Sequence, residues 1–122
     1  HRVSDMPEVE RLDGEAHALL GSHDFTTFAA AGQATETNVR EVRAAGFTWE
    51  PPFVVFSIRA NGFLWKMVRS IVGTLLERER ERRRGYATLP GIPALLKARD
   101  RSLAGVTAPP QGLFLTDVEY DV

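Results

Sequence analysis

The residues with the most chemical potential cluster between positions 61 and 69. Arg69 flanks the apolar stripe of a predicted helix, beside Trp65 and Leu76, instead of standing on its solvent side. A guanidinium in that position is partly desolvated, grips a carboxylate or phosphate bidentately, and keeps its charge at any working pH. The competing reading is an Arg whose stem covers apolar surface while its head reaches water. Lys66 is open to the same two readings, as a phosphate contact or a solvated cation. Asn61-Gly62 stands at a strand-to-helix junction, where backbone amides can approach a phosphate or form an ordinary turn. Phe53 and Phe56 resemble the strand aromatics on which bases stack, although Phe on strands usually belongs to a core. The Arg-rich run 78–84 alternates with Glu, which favours a solvated, ion-paired helical face over a nucleic-acid footprint; only Arg82-Arg83-Arg84 is unrelieved. His23-Asp24 is an adjacent pair whose side chains point apart in most backbones. No Ser/His/Asp set, phosphate-cradling loop or pair of catalytic carboxylates is present.

These residues need elements to position them. Asp5, Glu8 and Pro7 make a helix start, and Val9, Leu12, Ala16, Leu19 and Leu20 mark one face, so a helix is predicted over 6–20 with Gly21 as its stop. His23 to Gln33 reads as loop, anchored by Phe25 and Phe28. Residues 39–49 favour a strand with a bulge or turn at Ala44-Ala45-Gly46. After Pro51-Pro52, residues 53–60 form a clear strand, with Val54, Phe56, Ile58 and Ala60 on one face and Phe53, Val55, Ser57 and Arg59 on the other. Leu64, Met67, Val68, Ile71, Val72 and Leu75 then recur at helical steps, which predicts a helix over 62–76 that continues through 77–84 to Gly85. In that run Glu77/Arg80, Glu79/Arg82, Glu81/Arg84 and Glu79/Arg83 have pairing distance. Pro93 opens a short helix to about 99, and Leu113 to Tyr120 alternates as a third strand. The expected fold is α+β: a small, mostly antiparallel sheet with helices packed on one face. Its two open edges call for pairing with another chain or with a missing half.

Composition excludes several classes. The 122 residues carry 15 Lys+Arg against 16 Asp+Glu, a formal net charge of −1, so any polyanion surface must be local. A 43% apolar content suits one globular domain, which buries roughly two-thirds of its unfolded surface without covalent staples. With no Cys there is no disulfide, thiolate metal site or thiol nucleophile, and His1, His17 and His23 lack metal-ligand spacing. No segment has the length to cross a bilayer and no signal peptide opens the chain, so the expected location is cytoplasmic. The first residue is His1, which reads as a recombinant piece, a proteolytic product or one subunit of a split enzyme.

Four segments, in order, resemble the C-terminal half of the TruA-type tRNA pseudouridine synthases. They are Gly21-Ser22-His23-Asp24-Phe25-Thr26-Thr27-Phe28; Ala60-Asn61-Gly62-Phe63-Leu64-Trp65-Lys66-Met67-Val68-Arg69-Ser70-Ile71-Val72-Gly73-Thr74-Leu75; Ala98-Arg99-Asp100-Arg101; and Ala104 to Leu115. The resemblance implies isomerisation of uridines in the tRNA anticodon arm without cofactor or metal. It also implies a homodimer of two-lobed chains whose similar α+β halves join their sheets around an RNA cleft. By position, Arg69 matches the Arg that pairs with the catalytic Asp, and Leu113 matches the pocket loop beside the base. Lys66, Asn61, Phe63 and His23 fall on RNA-facing segments. The family's nucleophilic Asp lies in an Arg-Thr-Asp segment of the N-terminal half. None of Asp5, Asp13, Asp24, Asp100, Asp117 or Asp121 stands in such a segment. The chain is therefore expected to be one C-terminal domain, residues 1–122, inactive until another half supplies the carboxylate. The Glu/Arg run 77–84 departs from the shorter, Gly-containing helix end of that family. The rival expectation is a free-standing RNA-binding or dimerisation module on the same scaffold.

Overall fold

The structure, a computed structural model, describes residues 7–30 and 37–104, and the backbone of 114–120. Helix α1 spans Pro7–Ala16 and runs into a 3₁₀ turn, His17–Leu19. Strand β1 is Gly21–Asp24, followed by a 3₁₀ turn at Thr26–Phe28. Strands β2 and β3 are Val39–Glu50 and Phe53–Ala60, joined through a cis Pro51-Pro52 bond. Helix α2 is Met67–Arg84, α3 is Ile92–Ala98, a 3₁₀ turn covers Arg101–Leu103, and β4 is Phe114–Tyr120.

The sheet has the order β1-β2-β3-β4. Its first three strands are antiparallel neighbours and β4 lies parallel to β3. The mostly antiparallel α+β layer is as expected, with one strand more. Phe56, Ile58 and Ala60 of β3 and Val42, Ala45 and Phe47 of β2 share one core with Val9 and Leu12 of α1, Met67, Ile71, Val72 and Leu75 of α2, and Leu95 of α3. Period-2 burial in the strands and three- and four-residue burial in the helices therefore converge on one side of the sheet. Phe47 and Phe56 face each other across β2 and β3 with ring centroids 4.9 Å apart. Such a pair contributes about 0.5–1.5 kcal/mol beyond its buried area.

Helix α1 also closes an open edge. Strand β1 pairs with β2 only as far as Val42, so among the described residues no strand pairs with the rest of β2 on that side. Asp13 of α1 reaches over and accepts the Phe47 amide at 2.8 Å. A Cβ on Gly46 would stand 2.6 Å from the same carboxylate oxygen, so this approach requires glycine.

Three boundaries correct the sequence reading. The segment expected as loop from His23 contains the end of β1 and a 3₁₀ turn. Strand β1 escaped notice because its four residues are exposed or half-buried and show no alternation. The α-helical part of 6–20 stops at Ala16, although Gly21 acts as the break with φ +102°. Helix α2 starts at Met67, five residues later than the periodicity suggested. Leu64 is buried in the core, but from the turn that precedes the helix, so its spacing mimicked a helical position. The bulge in β2 falls between Val42 and Ala44, just ahead of the expected position. Gly85 ends α2 as expected, with φ +89° and its amide bonded to the Arg82 carbonyl.

Candidate functional site at the start of helix α2

The turn from β3 into α2 is tied down on two sides. Asn61 donates its backbone amide to the Glu41 carbonyl (3.1 Å) and accepts the Glu41 amide on Oδ1 (2.9 Å). On the other side the Trp65 carbonyl accepts the Ala30 amide at 3.2 Å. Between these anchors the chain bends sharply. Lys66 has φ +63°, a left-handed conformation uncommon for a side chain of its size, and Met67 donates back to the Leu64 carbonyl. Trp65 is 62% exposed, and the Lys66 ammonium lies 5.0 Å from its ring centroid. Such an exposed cation–π contact is worth about 0.5–1 kcal/mol.

Arg69 follows in the first turn of α2 and is half-buried, as is Leu76 further along the helix. Trp65, expected as its helical neighbour, instead precedes the helix. This end of a helix carries the positive pole of the backbone dipole, which disfavours a cation by about 0.3–1 kcal/mol. The first turn holds no acidic residue to offset that. Phe63 is half-buried and packs against the core, bracing the turn from below.

The other predicted residues fall as follows. His23, on β1, has its Nε2 2.7 Å from the Leu20 carbonyl and its ring edge-on to Phe25 at 5.9 Å. Asp24 accepts the Thr26 amide (2.9 Å) and hydroxyl (2.6 Å), so it caps the following turn. Phe56 is core, whereas Phe53 is exposed. Leu113 lies outside the described residues; the backbone after it enters β4 beside Val54, at the opposite end of β3 from Asn61. Asn61, Phe63, Lys66 and Arg69 are therefore gathered in one connection. One residue that the sequence reading passed over belongs with them: Arg40, directly opposite His23 in the β1–β2 register and against Gly62. Its parity with Val42 on β2 was the available signal.

The Glu/Arg run differs from expectation. Glu77 pairs with Arg80 and Glu79 with Arg82 as anticipated. Glu79 and Glu81 are nonetheless buried. Glu79 accepts Nε of Arg11 at 3.2 Å, joining α2 to α1. Glu81, instead of meeting Arg84, accepts the Thr88 hydroxyl and the amides of Thr88 (2.7 Å) and Leu89 (3.1 Å). These bonds, led by the Thr88 hydroxyl, hold its pKa below the ordinary 4.5. Arg78 bridges Glu15 and the Leu89 carbonyl. A groove of about 310 Å³ between α1 and α2, lined by Val9, Leu12, Val54 and Leu76, contains none of the predicted site residues. Among the described residues no group of three or more His, Asp or Glu is assembled to hold a metal ion. No described helix is long and apolar enough to cross a membrane.

Residues 16–121 match the tRNA pseudouridine synthase family. The chain is 43% identical over 118 residues to tRNA pseudouridine synthase A of Treponema denticola, covering 97% of this chain and 42% of that protein. It is 41% identical over 114 residues to tRNA pseudouridine synthase A of Lysinibacillus sphaericus, covering 93% and 45%. The Shewanella amazonensis protein of the same name is 43% identical over 113 residues, covering 93% and 42%. The chain spans less than half the length of these relatives, and it belongs to the TruA-type tRNA pseudouridine synthase family.

Proposed function

We propose that this member of the tRNA pseudouridine synthase family supplies the C-terminal half of an active site that isomerises uridine to pseudouridine in the anticodon arm of tRNA. The observation that carries the reading is the place of Arg69: half-buried, in the first turn of α2, directly after the connection that gathers Asn61, Phe63 and Lys66. A planar, permanently charged fork at that place suits the alignment of a carboxylate from outside this chain.

In this reading the catalytic Asp comes from an N-terminal half, and the fork of Arg69 holds its carboxylate in line with the ribose. The bond between N1 of the base and C1′ breaks, the base rotates, and a bond from C5 to C1′ replaces it. The proton on C5 is lost and N1 gains one, so no oxidant or reductant is needed. The uridine must first leave its stack, at about a few kcal/mol, which pocket contacts offset. Leu113 is assigned to the pocket by its motif alone, since the backbone that follows it enters β4 at the other end of β3. Lys66 and His23 face the RNA, Phe63 braces the turn, and Asn61 offers its Nδ2 while Oδ1 stays bonded to Glu41. Pairing with the other half, homodimer assembly and a cytoplasmic location complete the proposal.

The test is tritium release from tRNA labelled at C5 of uridine. The chain alone is expected to release none, and the chain mixed with the N-terminal half of the Treponema denticola relative is expected to release it. Absence of release from the mixture, with both parts folded and associated, contradicts the reading.

A further inference from the structure

We propose that Arg40 is a contact for an RNA phosphate, set at the end of the sheet beside the turn that carries Lys66 and Arg69. The inference rests on the RNA-directed reading above and assigns a residue that reading does not use. The Arg40 guanidinium is oriented by uncharged acceptors: Nη1 donates to the carbonyls of Thr37 (2.8 Å) and Val39 (2.7 Å). Those bonds fix the plane of the fork but cancel no charge. Arg11, Arg43, Arg78, Arg80 and Arg82 all meet a carboxylate. Arg40 meets none among the described residues, although it is half-buried.

The surroundings leave room for the fork. Arg40 lies against Gly62, where an added Cβ would stand 3.3 Å from its Nε. Glycine therefore leaves the room that the side chain occupies. Among the described residues, the neighbouring carboxylates along β1 and β2 are engaged elsewhere, Glu41 by Arg43 and Asp24 by Thr26. His23 is the direct register partner of Arg40, and Asn61 bonds the next residue of β2, so the guanidinium belongs to the same corner as the proposed site. A planar, permanently charged fork already oriented by backbone carbonyls matches a phosphate oxygen pair, and RNA backbone is the polyanion this corner would meet.

The experiment measures tRNA binding by the 122-residue chain across a salt series from about 50 to 200 mM, with log affinity plotted against log salt. R40Q is expected to bind about 10-fold more weakly, with a slope shallower by about 0.7 to 0.9, the value of one lost phosphate contact. R40K keeps the charge, so its slope is expected to stay with the wild type while affinity falls. R80Q, at the far end of α2, is expected to change neither. Unaltered affinity and slope in R40Q overturn the proposal, and if R40Q does not fold, an R40K affinity equal to the wild type overturns it. Failure of the wild-type chain to bind at the lowest salt also overturns it. In each of these cases tritium release by the assembled halves separately decides whether the catalytic reading stands.

Discussion

The two ends of helix α2 both carry arginine and treat it in opposite ways. At the C-terminal end Arg82, Arg83 and Arg84 lie where the helix dipole favours cations, and Glu79, Glu81 and Arg78 are engaged by α1 and by residues 88 and 89. At the N-terminal end Lys66 and Arg69 lie where the dipole opposes them, on a turn bent through a left-handed Lys66. The dense charge run is thus a structural clasp, and the sparse cations of the opposite end are candidates for chemistry. Charge count along a sequence does not locate function; the fit of each charge to its local field does.

Substitutions at the two ends should separate activity from stability. The largest effect is expected from Arg69→Ala: turnover by the assembled halves falls by about 100-fold or more, the scale for losing one preorganised electrostatic contact. Its tRNA affinity should change only a few-fold, and the melting temperature should hold. Equal losses in turnover and affinity would remove the orienting role. Next comes Glu81→Ala, which removes a buried carboxylate and leaves the Thr88 and Leu89 donors without their acceptor. Its melting temperature should drop by about 5 °C or more, while activity measured well below that temperature persists. Arg11→Ala leaves buried Glu79 without its α1 partner and should lower the melting temperature by about 3 °C. Arg80→Ala breaks only an exposed pair with Glu77 and should alter stability by no more than about 0.5 kcal/mol.

Acidity sharpens the same contrast. Because the folded-state pKa of Glu81 is depressed, the unfolded chain binds the proton more readily. The stabilisation is fully present above the ordinary 4.5 and is lost as pH falls through the lower, folded value. Asp100, lowered from 3.8 chiefly by the Ser102 hydroxyl and amide, adds a loss of the same sign at still lower pH. Thermal melts from pH 6 downward should therefore show a decline below about 4.5 that shrinks in Glu81→Gln. An identical decline in that variant would remove Glu81 from the clasp.

Much of the framework was legible in the sequence because it follows from burial periodicity. Strand β3 buries Phe56, Ile58 and Ala60 on one face as its pattern indicated, and α2 ends at Gly85, which takes a left-handed conformation. Strand β1 was not legible, since a short edge strand buries too little to leave a pattern. The start of α2 was misread because Leu64 satisfies the helical period from a turn. For the site, Arg69 stood out as a charge beside an apolar stripe. The engagement of Oδ1 of Asn61 by Glu41, and the placement of Arg40 against Gly62, depend on strand register, which residue types alone do not encode. The inward turn of Glu79 and Glu81 was hidden for a related reason: spacing within a helix shows which partners are near along it, not what packs across from it.

The central claim is that this chain holds the Arg half of a divided active site. Tritium release from C5-labelled tRNA tests it most directly, comparing the chain alone, the chain with an N-terminal half, and that pair carrying Arg69→Ala. The account predicts release only from the unsubstituted pair. Release by the chain alone would place a nucleophile within these 122 residues, and undiminished release by the Arg69→Ala pair would take the chemistry away from the start of α2.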